Sequence, residues 1–388
     1  AELVPETGRD LTQLDAPALL DRFQFWAKYT LDDFARDSLK PTALAGMALV
    51  DLEKALARVL QLAGMADPLA GLERAKAALR ELVMGVHPEV ETDLPAAVRD
   101  LAAGRLDRGT FLVRFGHRGS QEMELAQPRW SEDHTALDHM IQAAGTGPEG
   151  KVPAPVDALV RVAAEAGLQP AQRTALAEGV QTLHTYLGLR ESAKHYLMQG
   201  YALLRRILVE LDRRYDLGGG IFYLTPEDLP ALVKGTSAGQ EVRDLIARRK
   251  RRREVALSLY VPQVLFSDDL EAIDRETQAG SADMLQGVPL SAGVVEGPAL
   301  VLNEPTQTQV PHEAYILVCP STDPAWVPLF VHARGLVMET GGVLSHGAIV
   351  AREFGLPAVA GLPEVHRRLR TGQRLRVDGG TGRVNILA

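Results

Sequence analysis

Through about residue 265, apolar positions recur at helical spacing and strand-like alternation is scarce. The stretch TALAGMALVDLEKALARVLQLAG (42–64) sets Leu49, Leu52, Leu56, Val59 and Leu60 on one face. Pro41-Thr42 predicts where that helix opens and Gly64 where it closes. Similar patterns predict helices around 13–36, 71–84, 155–188 and 190–215. Two stretches break the period. RFGHRGSQEMELAQPRWSED (114–133) is rich in glycine, charge and hydrogen-bonding groups. DLGGGIFYLTPEDLPALV (216–233) reads as a glycine loop, a short apolar strand or turn, and a helix that starts at Thr-Pro-Glu-Asp. No internal repeat of solenoid period is present.

The pattern then changes. FSDDLEAIDRETQAGSADM (266–284) is acidic and polar and predicts a linker. Beyond it, GVPLSAGVVEGPALVL, AYILVCP, RGLVMET, LPAVAG and RLRVDGGTGRVNIL are short Val/Ile/Leu-rich runs cut by Gly and Pro, which predicts strands. Helical stretches at 346–354 and 363–369 lie between them. The chain is therefore expected to be multidomain: a mostly α-helical part over 1–265, a linker over 266–284 and a small α/β domain over 285–388.

Composition narrows the function classes. The 388 residues are 46% hydrophobic, enough for a real core and long enough for two or three domains. A net charge of −8 gives no general electrostatic case for nucleic acid or an anionic membrane as partner. No apolar run is long enough to cross a bilayer, and no signal peptide is evident. The single cysteine, Cys319, forms no internal disulfide, and a reducing, cytoplasmic setting is expected. It lies in YILVCP and reads as a packed strand residue rather than a nucleophile. The run RRKRRR (248–253) has two readings: a phosphate or nucleic-acid patch, or a solvated helix face flanked by Glu241, Asp244 and Glu254.

One histidine stands apart. In ETGGVLSHGAIVAREFGLPAVAG (339–361), Thr340, Gly341 and Gly342 predict a tight turn after a buried strand. Ser345 is a predicted N-cap, Ile349, Val350 and Phe354 offer a core face, and Gly355 with Pro357 ends the helix. His346 thus falls in the first turn. The positive end of a helix disfavours an imidazolium and favours a bound anion, so one field suits both a neutral nucleophilic imidazole and its phosphorylated form. Such effects amount to roughly 0.3–2 kcal/mol, which poises a histidine without catalysing phosphoryl transfer. A histidine that merely caps the helix is the plain alternative. No second His, Cys or carboxylate lies at metal-ligand spacing, so no metal site is expected in this chain. Ser345 directly precedes the histidine, an awkward spacing for a hydrolase pair.

These residues resemble the phosphohistidine signature of the phosphoenolpyruvate-utilising enzymes, in their Thr-Gly-Gly, Ser-His, Ala-Arg-Glu and Gly-x-Pro-Ala elements. STDPAWVPLF (321–330) resembles the Asp-Pro-x-Trp element that precedes it in the phosphoenolpyruvate synthase and rifampin phosphotransferase branches, and GVPLSAGVVEG (287–297) the opening strand. GHRGSQEMELAQPRWSED resembles a helical middle-domain motif, with Ser120-Gln121 where Pro-Gly is usual and Glu124 where Asp is usual. RESAKHYLMQGYALLRRI (190–207) and IFYLTPEDL (221–229) are similar to further middle-domain elements.

The resemblance implies that 1–265 is the acceptor-binding domain and 285–388 the swivelling phosphohistidine domain. It implies that His346 takes the β-phosphate of ATP and passes it to a hydroxyl acceptor, with AMP and phosphate as co-products. ATP and Mg2+ would be held by an ATP-grasp domain, upstream or on a partner chain. The alternatives are a part of a phosphoenolpyruvate synthase-like system and a non-catalytic phosphocarrier. Thr340, Gly341, Gly342, Ser345 and Arg352 would shape the phosphohistidine loop, Arg352 either anchoring the helix or touching phosphate. Arg190 and Lys194, four apart on one helical face beside Glu191, would meet the transferring phosphoryl group, or form a surface salt-bridge face. His117 and Arg118 are candidates for a general base and a phosphate clamp, oriented by Glu122 and Glu124, or else form a structural loop. His312 and His332 read as surface or packed residues.

Overall fold

The computed structural model describes residues 8–62, 92–135, 169–235, 239–259, 284–305, 313–323, 326–330, 332–343 and 345–387, with isolated residues between them. Nearly all of the expected helix at 71–84, the front of that at 155–188, and the linker short of Met284 lie outside the described residues.

Helix α1 (Ala16–Ala27) opens on Asp15, whose carboxylate accepts the Ala18 N–H at 2.8 Å. A π-helical stretch, Lys28–Phe34, carries it into α2 (Ala35–Leu62). Pro41 therefore sits inside a helix and does not open one. The chain arrives already helical, so the missing proline N–H removes a bond without setting a start. Leu52 and Leu56 are buried as the pattern predicted. Helices α3 (Leu94–Ala102) and α4 (Arg108–Phe115) are capped by the side chains of Asp93 and Asp107. Helix α5 (Pro170–Tyr215) is one 46-residue element where two were expected. Gly188 interrupts the apolar pattern there, but no proline or cap follows it to end the helix. Residues 220–223 form a 3-10 turn, not a strand. Helix α6 (Leu229–Lys234) starts later than predicted, because the Asp228 carboxylate takes the Thr225 N–H at 2.6 Å and its hydroxyl at 3.0 Å, closing a turn first. Helix α7 (Gly239–Ser258) completes the helical part among the described residues.

By packing, the chain falls into two compact units, one of Ala1–Ala35, Met123–Gln127 and Met198–Ser281, the other of Arg36–Glu122, Pro128–Leu197 and Ala282–Ala388. In the first, Leu19, Phe23 and Trp26 of α1 pack with Leu204, Ile207 and Leu211 of α5 and with Val242 and Ile246 of α7. The basic run lies here on α7. Arg249 Nη1 stands 2.5 Å from Asp228 Oδ2 and donates to the Tyr223 carbonyl at 2.8 Å. Arg253 meets Glu124 at 3.5 Å, and the Lys250 ammonium lies 5.4 Å from the Tyr223 ring centroid. Those partners come from other parts of the chain rather than from the flanking acids, while Arg248, Arg251 and Arg252 remain exposed.

The second unit holds an eight-stranded mixed sheet. Its strands are β1 (Met284–Gln286), β2 (Val288–Ser291), β3 (Val294–Val301), β4 (Tyr315–Cys319), β5 (Ala333–Met338), β6 (Ala358–Ala360), β7 (Arg374–Asp378) and β8 (Arg383–Ile386). The spatial order is β1-β8-β7-β3-β4-β5-β6-β2, with β3 to β6 parallel and the flanking pairs antiparallel. Central β4 is buried at every position, as its uninterrupted apolar run predicts. Helices α8 (Val327–Phe330) and α9 (His346–Glu353) belong to one apolar cluster with alternate residues of β4 and β5. Helix α10 (Val365–Arg368) and Leu369 belong to the other. Met284 is already a strand residue, at the end of the segment expected to be a linker. Cys319 is fully buried in β4, and burial pushes its thiol far up, out of reach of deprotonation near neutrality. Among the described residues no helix is long and apolar enough to cross a membrane.

Candidate functional site

The turn after β5 is held by backbone and small side chains. The Thr340 N–H and hydroxyl both donate to the Pro320 carbonyl, at 2.9 and 3.0 Å. Gly341 adopts φ +151°, and a Cβ there would lie 3.2 Å from Ser345 Oγ and 3.3 Å from Ala360 Cβ. Gly342 is exposed, and its carbonyl accepts the Ser345 N–H at 2.8 Å. Ser345 Oγ accepts the Ala348 N–H at 3.3 Å, which makes it the N-cap and makes His346 the first residue of α9. Gly355 ends the helix in the left-handed region at φ +64°.

Two further residues brace this loop. Arg352, 2% exposed, donates from Nε to the Leu290 carbonyl at 3.1 Å and from Nη2 to the Val343 carbonyl. These bonds tie α9 to β2 and to its own loop. His366 Nδ1 of α10 stands 2.5 Å from Glu339 Oε2, the residue before Thr340. Gly347 was not singled out from the sequence. A Cβ on it would meet Thr322 Oγ1 at 2.4 Å and Met338 Sδ at 2.7 Å, so Thr322 packs against the first turn of α9.

The acceptor-side candidates form a second cluster in the same unit. Arg118 pairs with Glu122 through Nε at 2.5 Å and Nη2 at 2.9 Å, both residues being buried. Lys194 Nζ reaches the same carboxylate at 2.9 Å. Burial acts to raise the Glu122 carboxyl, but Arg118 and then Lys194 outweigh it and hold it well below the usual carboxylate range. Arg190 meets Glu191 at 3.2 Å, and the charge of Glu191 also acts on Arg118. Arg129, 1% exposed, donates to the Glu122 carbonyl at 2.7 Å. Glu124 does not orient Arg118 or His117 here. Its carboxylate accepts the Ala126 N–H and meets Arg253. His332 is half-buried, and His312 lies outside the described residues.

His195 is the residue that sequence reasoning missed. It follows Lys194 on α5, and its ring packs edge-on against that of His117 with centroids 4.5 Å apart. Burial, then the charges of Arg118 and Arg114, bring its imidazole down to about 4. Burial, then His195 and Arg118, likewise keep His117 neutral, and His117 Nε2 makes no hydrogen bond among the described residues. The signal for His195 was its place one residue after a candidate cation, but its ring partner lies 78 positions away in the chain, where no local pattern reports it.

The two clusters are linked. The Gln121 N–H, one residue before Glu122, donates to Asp323 Oδ2 at 2.9 Å, and Asp323 follows the Thr322 that packs on α9. Gln121 holds φ +47° at the position where the resembled motif carries glycine. At the other end of α9, Phe354 packs against both the β-domain cluster and the α3–α4 cluster of Leu94, Val98, Phe111, Phe115 and Trp130. Farther along the same helices, α2 and α5 flank a cavity of 390 Å³ lined by Ala48, Asp51, Leu52, Gln172, Leu176 and Thr182.

A histidine opens a capped helix in the small α/β domain, and a cluster of cations lies in the helical part of the same unit. Residues 311–382 match the mobile domain of PEP-utilising enzymes, and residues 43–191 match the rifampicin phosphotransferase fourth domain. The chain belongs to the family of phosphoenolpyruvate-utilising enzymes and, within it, is similar to the rifampicin phosphotransferases. It is 30% identical over 335 residues to rifampicin phosphotransferase of Streptomyces sviceus, a match covering 79% of this chain and 37% of that one. The rifampicin phosphotransferase of Bacillus subtilis is 30% identical over 71% of this chain and 34% of its own length. The prodigiosin synthesizing transferase PigC of Serratia marcescens is 29% identical over 77% of this chain and 35% of its own. The chain spans about a third of the length of these relatives.

Proposed function

We propose that this chain is the acceptor-side portion of a phosphohistidine-mediated phosphotransferase. The observation that carries the reading is His346, the first residue of a Ser345-capped helix inside the segment that matches the mobile domain. In this reading the imidazole attacks the β-phosphorus of ATP and the α–β anhydride bond breaks, so AMP departs and a pyrophosphoryl group stays on the imidazole. Water then cleaves the β–γ anhydride bond, so inorganic phosphate departs and one phosphoryl group remains on His346. ATP and Mg2+ would be held at an ATP-grasp domain in cis or in trans, where the metal neutralises phosphate charge. The P–N bond then breaks as the acceptor oxygen attacks. The acceptor proton passes to a base, for which neutral His117 is the candidate. The product is a phosphate ester, with AMP and inorganic phosphate already released.

The cation cluster supports the second half-reaction. Lys194 is 28% exposed at its side chain, so it is reachable as well as anchored by Glu122. A cation already held in place stabilises phosphoryl oxygens without reorganising. The α2–α5 cavity favours an acceptor with an apolar body. Its lining residue Thr182 lies eight positions before Arg190 on α5, or about 12 Å along the helix at the usual rise. A hydroxyl compound of that length would place its apolar part in the cavity and its hydroxyl near the cations.

The test is labelling. The chain is mixed with an ATP-grasp domain protein of the family and ATP labelled at the β-phosphate. Acid-labile, base-stable label should appear on the chain and vanish in His346→Ala. Equal labelling of the variant would overturn the reading. Hydroxyl compounds are then screened for uptake of the label. Arg190→Ala and Lys194→Ala should block transfer and leave His346 labelling intact. A label that no hydroxyl compound accepts, alongside tight binding of a protein, would favour a phosphocarrier.

A further inference from the structure

Among the described residues, two contacts beside α9 join the helical segment to the mobile domain. One is polar: the Gln121 amide on the Asp323 carboxylate at 2.9 Å. The other is apolar: the Phe354 ring against the cluster of Phe111, Phe115 and Trp130. They flank the helix, one beside its first turn through Thr322 and Gly347, the other at its C-cap.

We propose that Asp323 and Phe354 are the two fasteners that berth the mobile domain on the helical segment, with the 116–122 turn as the receiving surface. The receiving turn is built for this. Gln121 pays for a left-handed backbone, φ +47°, that a glycine would adopt without strain, and in that conformation its N–H points to the carboxylate. The turn is clamped from within by the buried Arg118–Glu122 pair and by Arg129 on the Glu122 carbonyl, so it presents a rigid donor. Asp323 also brings charge. Arg118, Arg190 and Lys194 face Glu122 and Glu191, with Arg129 and Arg114 also in the cluster, and the Asp323 carboxylate acts on Arg118 as well. Berthing therefore adds a carboxylate to a cation-rich cluster, which becomes more positive by one charge when the domain departs. That gain is suited to an arriving phosphoryl group, a consequence that rests on the phosphotransferase reading; the fastening itself does not.

Amide hydrogen exchange on the 388-residue chain tests the fastening without any activity. In Asp323→Ala, peptides over 116–130 and over 345–355 should both exchange about threefold to tenfold faster, the effect of losing one partly exposed hydrogen bond and its charge. Asp323→Asn keeps an acceptor oxygen and should fall between. Phe354→Ala should speed the same two regions. Unchanged exchange over β4 (Tyr315–Cys319) shows that the domain itself has stayed folded; if Phe354→Ala disturbs β4, Asp323→Ala decides. Faster exchange in 321–330 alone, or no change in 116–130 for either variant, overturns the proposal. His346 labelling is no part of this readout, so loss of the berth and loss of phosphotransfer are told apart.

Discussion

Removing the Glu122 carboxylate should unfold much of what holds the cation cluster in place. Glu122 is 3% exposed and Arg118 4%, and two hydrogen bonds of 2.5 and 2.9 Å join them, with Lys194 at 2.9 Å on the same carboxylate. In Glu122→Ala the guanidinium stays buried without the carboxylate that hydrogen-bonds it, and only the charges of Glu191 and Asp323 still act on it. Breaking a buried pair in this way costs roughly 3–5 kcal/mol, far more than the net worth of the pair. For a domain of this size, that lowers the thermal midpoint by roughly 6–20 °C, at about 2–4 °C per kcal/mol. The assay is thermal and urea unfolding followed by circular dichroism. The double variant Arg118→Met/Glu122→Leu removes both buried charges and should recover most of the loss, because the one cation that then lacks its partner, Lys194, is partly exposed to water. A single-variant cost under about 1 kcal/mol would refute the reasoning, since a pair that dispensable is solvated rather than buried. So would a double variant as unstable as Glu122→Ala, because it would show that shape and not charge sets the cost.

The other expectations are smaller or more local. Gln121→Gly should relieve the left-handed backbone at φ +47° and stabilise the chain by up to about 1 kcal/mol, read as a higher urea midpoint; a lower midpoint would show that unfolded-state entropy outweighs the strain. Gly347→Ala sets a Cβ 2.4 Å from Thr322 Oγ1 and should cost about 1–3 kcal/mol, with faster amide exchange in α9; wild-type exchange would mean that Thr322 moves aside freely. Because the folded state holds the His195 imidazole near 4, below its ordinary 6.5, the unfolded chain binds more protons in that window. Stability should thus fall as pH drops from about 6.5 to 4, by at most about 3 kcal/mol for this group, with His117 adding in the same direction. His195→Gln should flatten that stretch of a midpoint-against-pH curve, and an unchanged slope would remove His195 as its source.

Much of the site was readable in advance because its signals are local. The capping serine, the apolar face and the terminal glycine of α9 all lie within a dozen residues, and each acts on its near neighbours. The strands of the β-domain announced themselves by short apolar runs between Gly and Pro. Where expectation and structure part, the deciding partner is distant or the local signal is weak. Pro41 looked like a start only because the helical run feeding it carried no break of its own. Helix α5 runs unbroken through Gly188, because a single glycine with no proline or cap after it weakens a helix without ending it.

By itself the amino-acid sequence determined that a histidine opens a capped helix after a glycine turn, that a helical part precedes an α/β part, and that Arg190 and Lys194 share a face. Those are matters of spacing along one chain, and short-range sterics and hydrogen bonding are enough to set them. Only the tertiary structure decided that Glu122 pairs with Arg118 and Lys194 while Glu124 meets Arg253, that His195 lies against His117, that Arg352 bonds the Leu290 carbonyl, and that Asp323 meets the Gln121 amide. Each of those joins groups far apart in sequence. Which carboxylate is buried, and which cation it faces, depends on how the elements pack, and no periodicity along the chain records that.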